Sequence, residues 1–129
     1  MAILTPARPD LLAYRASTTL EFSKLVHELT TIIGKKLTAY LASVKDTRAV
    51  DRWISGSAPY KGVEERLRFA YRLAKMIGDH DGPRVVQAWF TGLNPELKDR
   101  VPARLLRDQQ VEEVGPELLG AARAFLAGG

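Results

Sequence analysis

The 129-residue chain contains no cysteine. Disulfides, thiolate metal centres and thiol nucleophiles are therefore excluded, which fits a reducing compartment. Histidine is scarce as well. His27 and His80 fall in different segments, and Asp79-His80-Asp81 is the one tight cluster of metal-type ligands. A run of this kind reads as a solvated linker rather than a metal site. Glu64-Glu65 and Glu112-Glu113 are adjacent pairs, which point to different sides of a helix and cannot act together as acid and base. No Gly-rich phosphate loop is present, and no Ser-His-Asp set can be nominated. Long apolar runs are missing too: no stretch approaches the roughly 18 residues a membrane span needs. The first ten residues hold no apolar segment of signal-peptide length, and Pro6 and Pro9 interrupt them. Sustained two-residue alternation of a strand is absent. These absences lead to the expectation of a cytoplasmic, all-α, non-enzymatic protein that needs no cofactor and no membrane.

What is present is ordinary for a globular domain: 46% hydrophobic and 26% charged residues, with a net charge of +4. That is too apolar for disorder. The excess of basic charge is compatible with a polyanionic partner without requiring one.

Along the chain, residues 1–15 read as an arm without a clear period, and the arm extends to residue 17. Ser17, Thr18 and Thr19 offer hydroxyl N-caps. Phe22, Leu25, Val26, Leu29, Ile32 and Ile33 then recur in three- and four-residue steps, forming one helical stripe that ends at Gly34. A shorter stripe follows at Leu37, Tyr40, Leu41 and Val44. Asp46 is placed to cap a third helix carrying Val50, Trp53 and Ile54, which stops at Ser55-Gly56. After a proline-bearing loop, a helix is expected over 63–77, with Leu67, Ala70, Tyr71, Ala74 and Ile77 inward. Residues 78–82 are the expected boundary between two subdomains, 18–78 and 83–129. In the second, Pro83 opens a helix with Val85, Val86, Trp89 and Phe90 that ends at Gly92. Asn94-Pro95 and Pro102 each restart the chain, and a last helix is expected over 117–126.

The segment 37–56, LTAYLASVKDTRAVDRWISG, is the most informative. Two short helices joined by a tight turn can hold the second at the angle needed to enter a major groove. Leu37, Leu41, Val44, Val50 and Trp53 supply the inner faces, and Ala39 and Ala42 are small enough for a close crossing. Thr47, Arg48, Asp51 and Arg52 face outward near the start of the second helix. Arginine can bond guanine bidentately and threonine can touch a base edge. Lys35, Lys36, Lys45 and Lys61 flank the unit, where they can neutralise phosphates. The candidate DNA contacts are thus Lys45, Thr47, Arg48, Asp51, Arg52 and Lys61. Periodicity alone leaves a second reading open, in which these charges only solvate a small bundle; Asp51 among the arginines counts toward it.

Residues 37–77 resemble the helix-turn-helix of Xre-like proteins, whose recognition helix runs into Arg-Trp followed closely by Gly and Pro. Here Arg52-Trp53-Ile54-Ser55-Gly56 and Pro59 stand in that order. From Ser43, where the family has glycine, to Val50, the chain is one residue longer. Trp89-Phe90, Leu93-Asn94-Pro95, Leu97 and the run Arg100 to Asp108 resemble the C-terminal domain of the Xre/MbcA/ParS antitoxins. Together the resemblance covers residues 20–126. It implies an antitoxin that binds operon DNA through its first half. It further implies that the second half blocks the NAD pocket of a RES-domain toxin. Carried over, the toxin contacts are Trp89, Asn94, Pro102, Arg104, Leu105, Arg107 and Asp108, with the extreme C-terminus. On the residues alone, Trp89 and Leu105 also read as core, Pro102 as a helix start and Asn94-Pro95 as a turn. Homodimerisation is expected, because such motifs read two half-sites about one helical turn apart. The alternative is a stand-alone helix-turn-helix regulator without a toxin. The two-part reading also predicts that a chain truncated near Gly92 still binds DNA.

Overall fold

The computed structural model describes residues 9–128, whose regular structure is helical: α1 (Pro9–Thr19), α2 (Phe22–Ile33), α3 (Lys35–Leu41), α4 (Arg48–Ile54), α5 (Val63–Asp81), α6 (Pro83–Thr91), α7 (Pro102–Asp108) and α8 (Val111–Leu126). A single 3-10 turn, Pro95–Leu97, stands between α6 and α7. No strand occurs among the described residues; one isolated antiparallel bridge pairs Asn94 with Arg100.

The architecture is organised around α5. Leu67, Ala70, Tyr71, Leu73, Ala74, Met76 and Ile77 are buried on it, which is more than one face of a helix. Such all-round burial belongs to a helix surrounded by others, and α1, α2, α6 and α8 all pack against it. Gly62, at φ 85, turns the chain into α5, and Glu64 and Glu65 lie in its first turn, where the partial positive charge of the free amides favours carboxylates.

Long polar side chains from α5 and α6 close the C-termini of three earlier helices. Arg68 Nη1 donates to the carbonyls of Ser17 at 3.1 Å and Leu20 at 2.8 Å, at the end of α1. Gln87 Nε2 donates to Ile32 O at 2.9 Å, at the end of α2. Arg66 Nη1 reaches Leu41 O at 3.3 Å, at the end of α3. None of α1, α2 and α3 carries a basic residue in its own last turn. The unpaired terminal carbonyls are therefore served from across the fold, which locks the small helices to the central one.

Four sequence expectations are corrected here. The arm placed over 1–17 is helix α1 from Pro9 onward; residues 1–8 lie outside the described residues. In α1 the small residues Ala13 and Ser17 are buried while Leu11, Leu12 and Tyr14 are exposed, so its inner face carries no apolar period. Ser17, Thr18 and Thr19 cap nothing downstream: their hydroxyls donate back to Tyr14 O at 2.7 Å and to Arg15 O at 3.0 and 2.8 Å. Residues 78–81, expected as a boundary, are the last turn of α5, and the chain turns only at Gly82, φ 95. The final helix begins at Val111, not near 117, with Pro116 inside it. Pro116 lies past the first turn, so the helix forgoes the bond that an amide there would give to the Glu112 carbonyl.

The division into 18–78 and 83–129 does not separate two cores. One apolar cluster runs from Ala13 through Leu25, Trp53, Leu67 and Ile77 to Phe90, Leu106 and Leu118. No helix of the described residues is long and apolar enough to cross a membrane.

Candidate nucleic-acid and partner interfaces

Helix α4 is only seven residues long, far below the length at which an isolated helix is stable. It is held by its inner face: Ala49, Val50 and Trp53 are buried, and the Trp53 indole packs at 6.3 Å and 60° against Phe22 of α2. The carboxylate of Asp46 opens it, with Oδ1 accepting the Arg48 amide at 2.9 Å. Oδ2 of the same group accepts from Arg48 Nε at 3.3 Å and Nη2 at 3.0 Å. The side-chain and backbone hydrogen bonds from Arg48 hold the Asp46 carboxyl below its usual pKa. The capping role expected of Asp46 is thus present, joined to an ion pair.

The outer face of α4 carries Arg48, Asp51 and Arg52, all exposed, with Thr47 half-buried at its start. The Arg48 side chain is 82% exposed even while paired. Asp51 is not a bare negative charge on this face: Lys35 Nζ, from the first turn of α3, lies 2.6 Å from its Oδ1. Lys45 and Lys61 are exposed. Lys45 stands in the turn before α4 and Lys61 in the turn before α5. Ser43, at the position where the resemblance has glycine, adopts φ 59. That left-handed conformation is what ends α3: Ser43 N donates to Tyr40 O and Val44 N to Ala39 O, each at 3.1 Å.

The residues nominated in the second half divide sharply. Trp89 is 7% exposed and meets Phe90 edge-on at 5.3 Å; Leu105 is 6% exposed. Pro102 is buried as the first residue of α7. Asn94 is buried, and its Oδ1 accepts the Glu96 amide at 2.9 Å, opening the 3-10 turn. Its backbone also binds Arg100 O at 3.1 Å and the Asp99 amide at 2.9 Å. These four side chains hold the fold together and present almost no surface to a partner. Large apolar groups pack inward, and buried amides find partners. Arg104 and Asp108 remain outside, paired across one helical turn at 3.6 Å. Arg107 turns the other way, its guanidinium 4.4 Å from the centre of the Tyr40 ring on α3.

Sequence reasoning missed Leu93, which is 72% exposed. It borders a cleft of about 360 Å³ with Asp99, Arg100, Arg104, Asp108 and Gln109. The signal was its place between the helix end at Gly92 and the Asn94-Pro95 turn, where no stripe draws it inward. Lys98 and Asp99 both have positive φ, 57 and 61. The turn is pinned by Arg100, whose Nε donates to Leu97 O at 2.7 Å and whose Nη2 lies 2.6 Å from Glu117 Oε2 on α8.

Among the described residues no three His, Asp or Glu side chains converge to hold a metal. Asp79 pairs with Lys75 at 3.2 Å, while His80 Nδ1 lies 3.1 Å from Asp81. No family, curated protein or solved structure matches the chain.

Proposed function

We propose that this chain is an antitoxin that binds DNA through α4 and occupies a RES-type, NAD-consuming toxin with the surface around Leu93, Arg104 and Asp108. The observation that carries the reading is the build of α4. A helix too short to stand alone is anchored by Val50 and Trp53, so that Arg48 and Arg52 project into solvent. Exposed arginines on a rigidly held short helix suit base-edge recognition, and Lys36 and Lys45 around it suit phosphate neutralisation. The left-handed Ser43 gives a physical reason for the glycine of the Xre-like turn, which supports the resemblance at its point of departure. On the partner side, an exposed leucine ringed by charges on a pinned turn has the composition of a protein-contact patch. Inhibition is steric, with no chemistry performed by this chain, and a homodimer would span two half-sites.

A second reading, a stand-alone regulator, is favoured by the inward placement of Trp89, Asn94, Pro102 and Leu105. Co-expression of the tagged chain with the product of the adjacent gene, scored by pull-down and growth, separates the two. A stable complex that restores growth supports the antitoxin. Absence of both partner and toxicity leaves the regulator. A promoter gel shift tests the DNA half in either case. Arg48→Ala combined with Arg52→Ala should abolish the specific shift while the fold is retained; survival of specific binding in that double variant would mean α4 is not the reading helix.

A further inference from the structure

The turn before α4 borders a cleft of about 540 Å³ lined by Lys36 and Tyr40 of α3, by Lys45, Asp46 and Thr47, and by Arg107 of α7. Three cations from two distant parts of the sequence therefore meet on one surface beside the start of α4. The one carboxylate there, Asp46, is already bound by Arg48 and does not neutralise them. Lys36, Lys45 and Arg107 make no ion pair among the described residues.

Arg107 is the informative member. Its guanidinium lies over the Tyr40 ring, 4.4 Å from the centroid, a cation–π contact. Held by a ring rather than by a carboxylate, the guanidinium keeps N–H donors whose fork matches phosphate geometry. The side chain is thus oriented before any ligand arrives, at little further entropic cost. Lys36 and Lys45 are exposed and add charge at the same place.

We infer that Lys36, Lys45 and Arg107 form a phosphate clamp for the backbone of duplex DNA, with α7 supplying a DNA contact to the unit built by α3 and α4. This rests on the proposed DNA-binding role of α4 and deepens it: Arg107, which the resemblance places against a toxin, serves the nucleic acid. It also makes the second half of the chain part of the DNA-binding surface.

The test is fluorescence anisotropy of the full chain on its promoter duplex and on an unrelated duplex, across a salt series. Each phosphate contact contributes about 0.9 to the slope of log K against log salt concentration. Arg107→Gln is expected to lower the slope by about that amount and to weaken both duplexes by the same factor. Arg107→Lys, which keeps the charge, should restore most of the slope. Thermal melting of both variants confirms that the fold is kept, and Lys45→Gln, which disturbs no packing, gives an independent reading of the same cleft. An unchanged slope in both Arg107→Gln and Lys45→Gln overturns the clamp while leaving α4 as the reading helix. Loss of partner binding with an unchanged slope also overturns it and returns Arg107 to the toxin side. Failure of the wild-type chain to bind any duplex at low salt overturns the clamp and the DNA-binding reading together.

Discussion

Lys35 Nζ sits 2.6 Å from Asp51 Oδ1, tying the first turn of α3 to the solvent face of α4. Both side chains are about half exposed, so the pair contributes little to stability, roughly 0.2–1 kcal/mol. Its consequence is electrostatic: the one negative charge on the arginine face is cancelled, and one lysine is withheld from other partners. Asp51→Asn should therefore raise duplex affinity several-fold and steepen the salt dependence, while the melting temperature barely moves. Anisotropy titration at two salt concentrations reads this directly. Unchanged or weaker binding by a folded variant would place the DNA elsewhere than on this face.

Ser43 carries a left-handed backbone, φ 59, at the end of α3. For a residue with a β-carbon this conformation costs about 1–2 kcal/mol relative to the right-handed region, a cost glycine does not bear. Glycine also has more freedom to lose from the unfolded chain, so the net gain is smaller than the strain relieved. Ser43→Gly should stabilise the protein by about 0.5–1 kcal/mol, seen as a rise in the denaturant midpoint without a change in slope. A destabilised variant would show that the turn does not need this conformation.

Much of the fold was legible where glycine and proline interrupt the chain. Gly34, Gly56 and Gly92 end helices and Pro83 and Pro102 begin them, as spacing predicts. Legibility failed where a punctuating residue has a packing role instead. Gly78 does not break α5: it faces α6, where a β-carbon would stand 3.4 Å from Val86 Cγ2, in ordinary contact. Gly115 faces Phe69 in the same way, its β-carbon position 3.4 Å from two ring carbons. In α1 the buried face is made of small residues, Ala13 and Ser17, so large-residue periodicity had nothing to detect. Of the site, the outward arginines of α4 follow from helical period alone. The inward course of Asn94 and Pro102, and the placement of Arg107 over Tyr40, depend on which helices meet, which no local pattern records.

The single core leads to a prediction opposite to a first half that works alone. Beyond Gly92 the chain buries Leu97, Leu105, Leu106 and Leu118, along with Ala103, Val114, Ala121 and Ala122. Each buried leucine contributes roughly 1.5–3 kcal/mol, so these four alone rival the net stability of a small domain, about 5–15 kcal/mol. Truncation after Gly92 also uncovers the faces of α5 and α6 that α7 and α8 protect. The shortened chain should lose its cooperative thermal transition and its near-ultraviolet circular dichroism, and lose duplex binding with them. A truncated chain that melts cooperatively and binds DNA would restore the two-part division.

The partner surface can be tested against the core because the two are now separated. Leu93 is 72% exposed and Arg104 lies on the outer face of α7, in the same cleft. Surface changes of this kind usually alter stability by no more than about 0.5 kcal/mol. Leu93→Asp with Arg104→Glu should therefore leave the melting temperature in place. Arginine is among the residue types enriched in binding hot spots, which carry about 2 kcal/mol or more, so affinity for the proposed toxin partner should fall at least about tenfold. Trp89→Ala makes the contrast, since removing a buried indole costs about 3–5 kcal/mol and any loss of partner binding comes with loss of the fold. Co-purification and melting of the two variants side by side decide the matter. Intact partner binding in the Leu93/Arg104 variant would show that the toxin docks on another face, with the apolar cleft between α6 and α8 at Val85, Ala88 and Phe125 the next to examine.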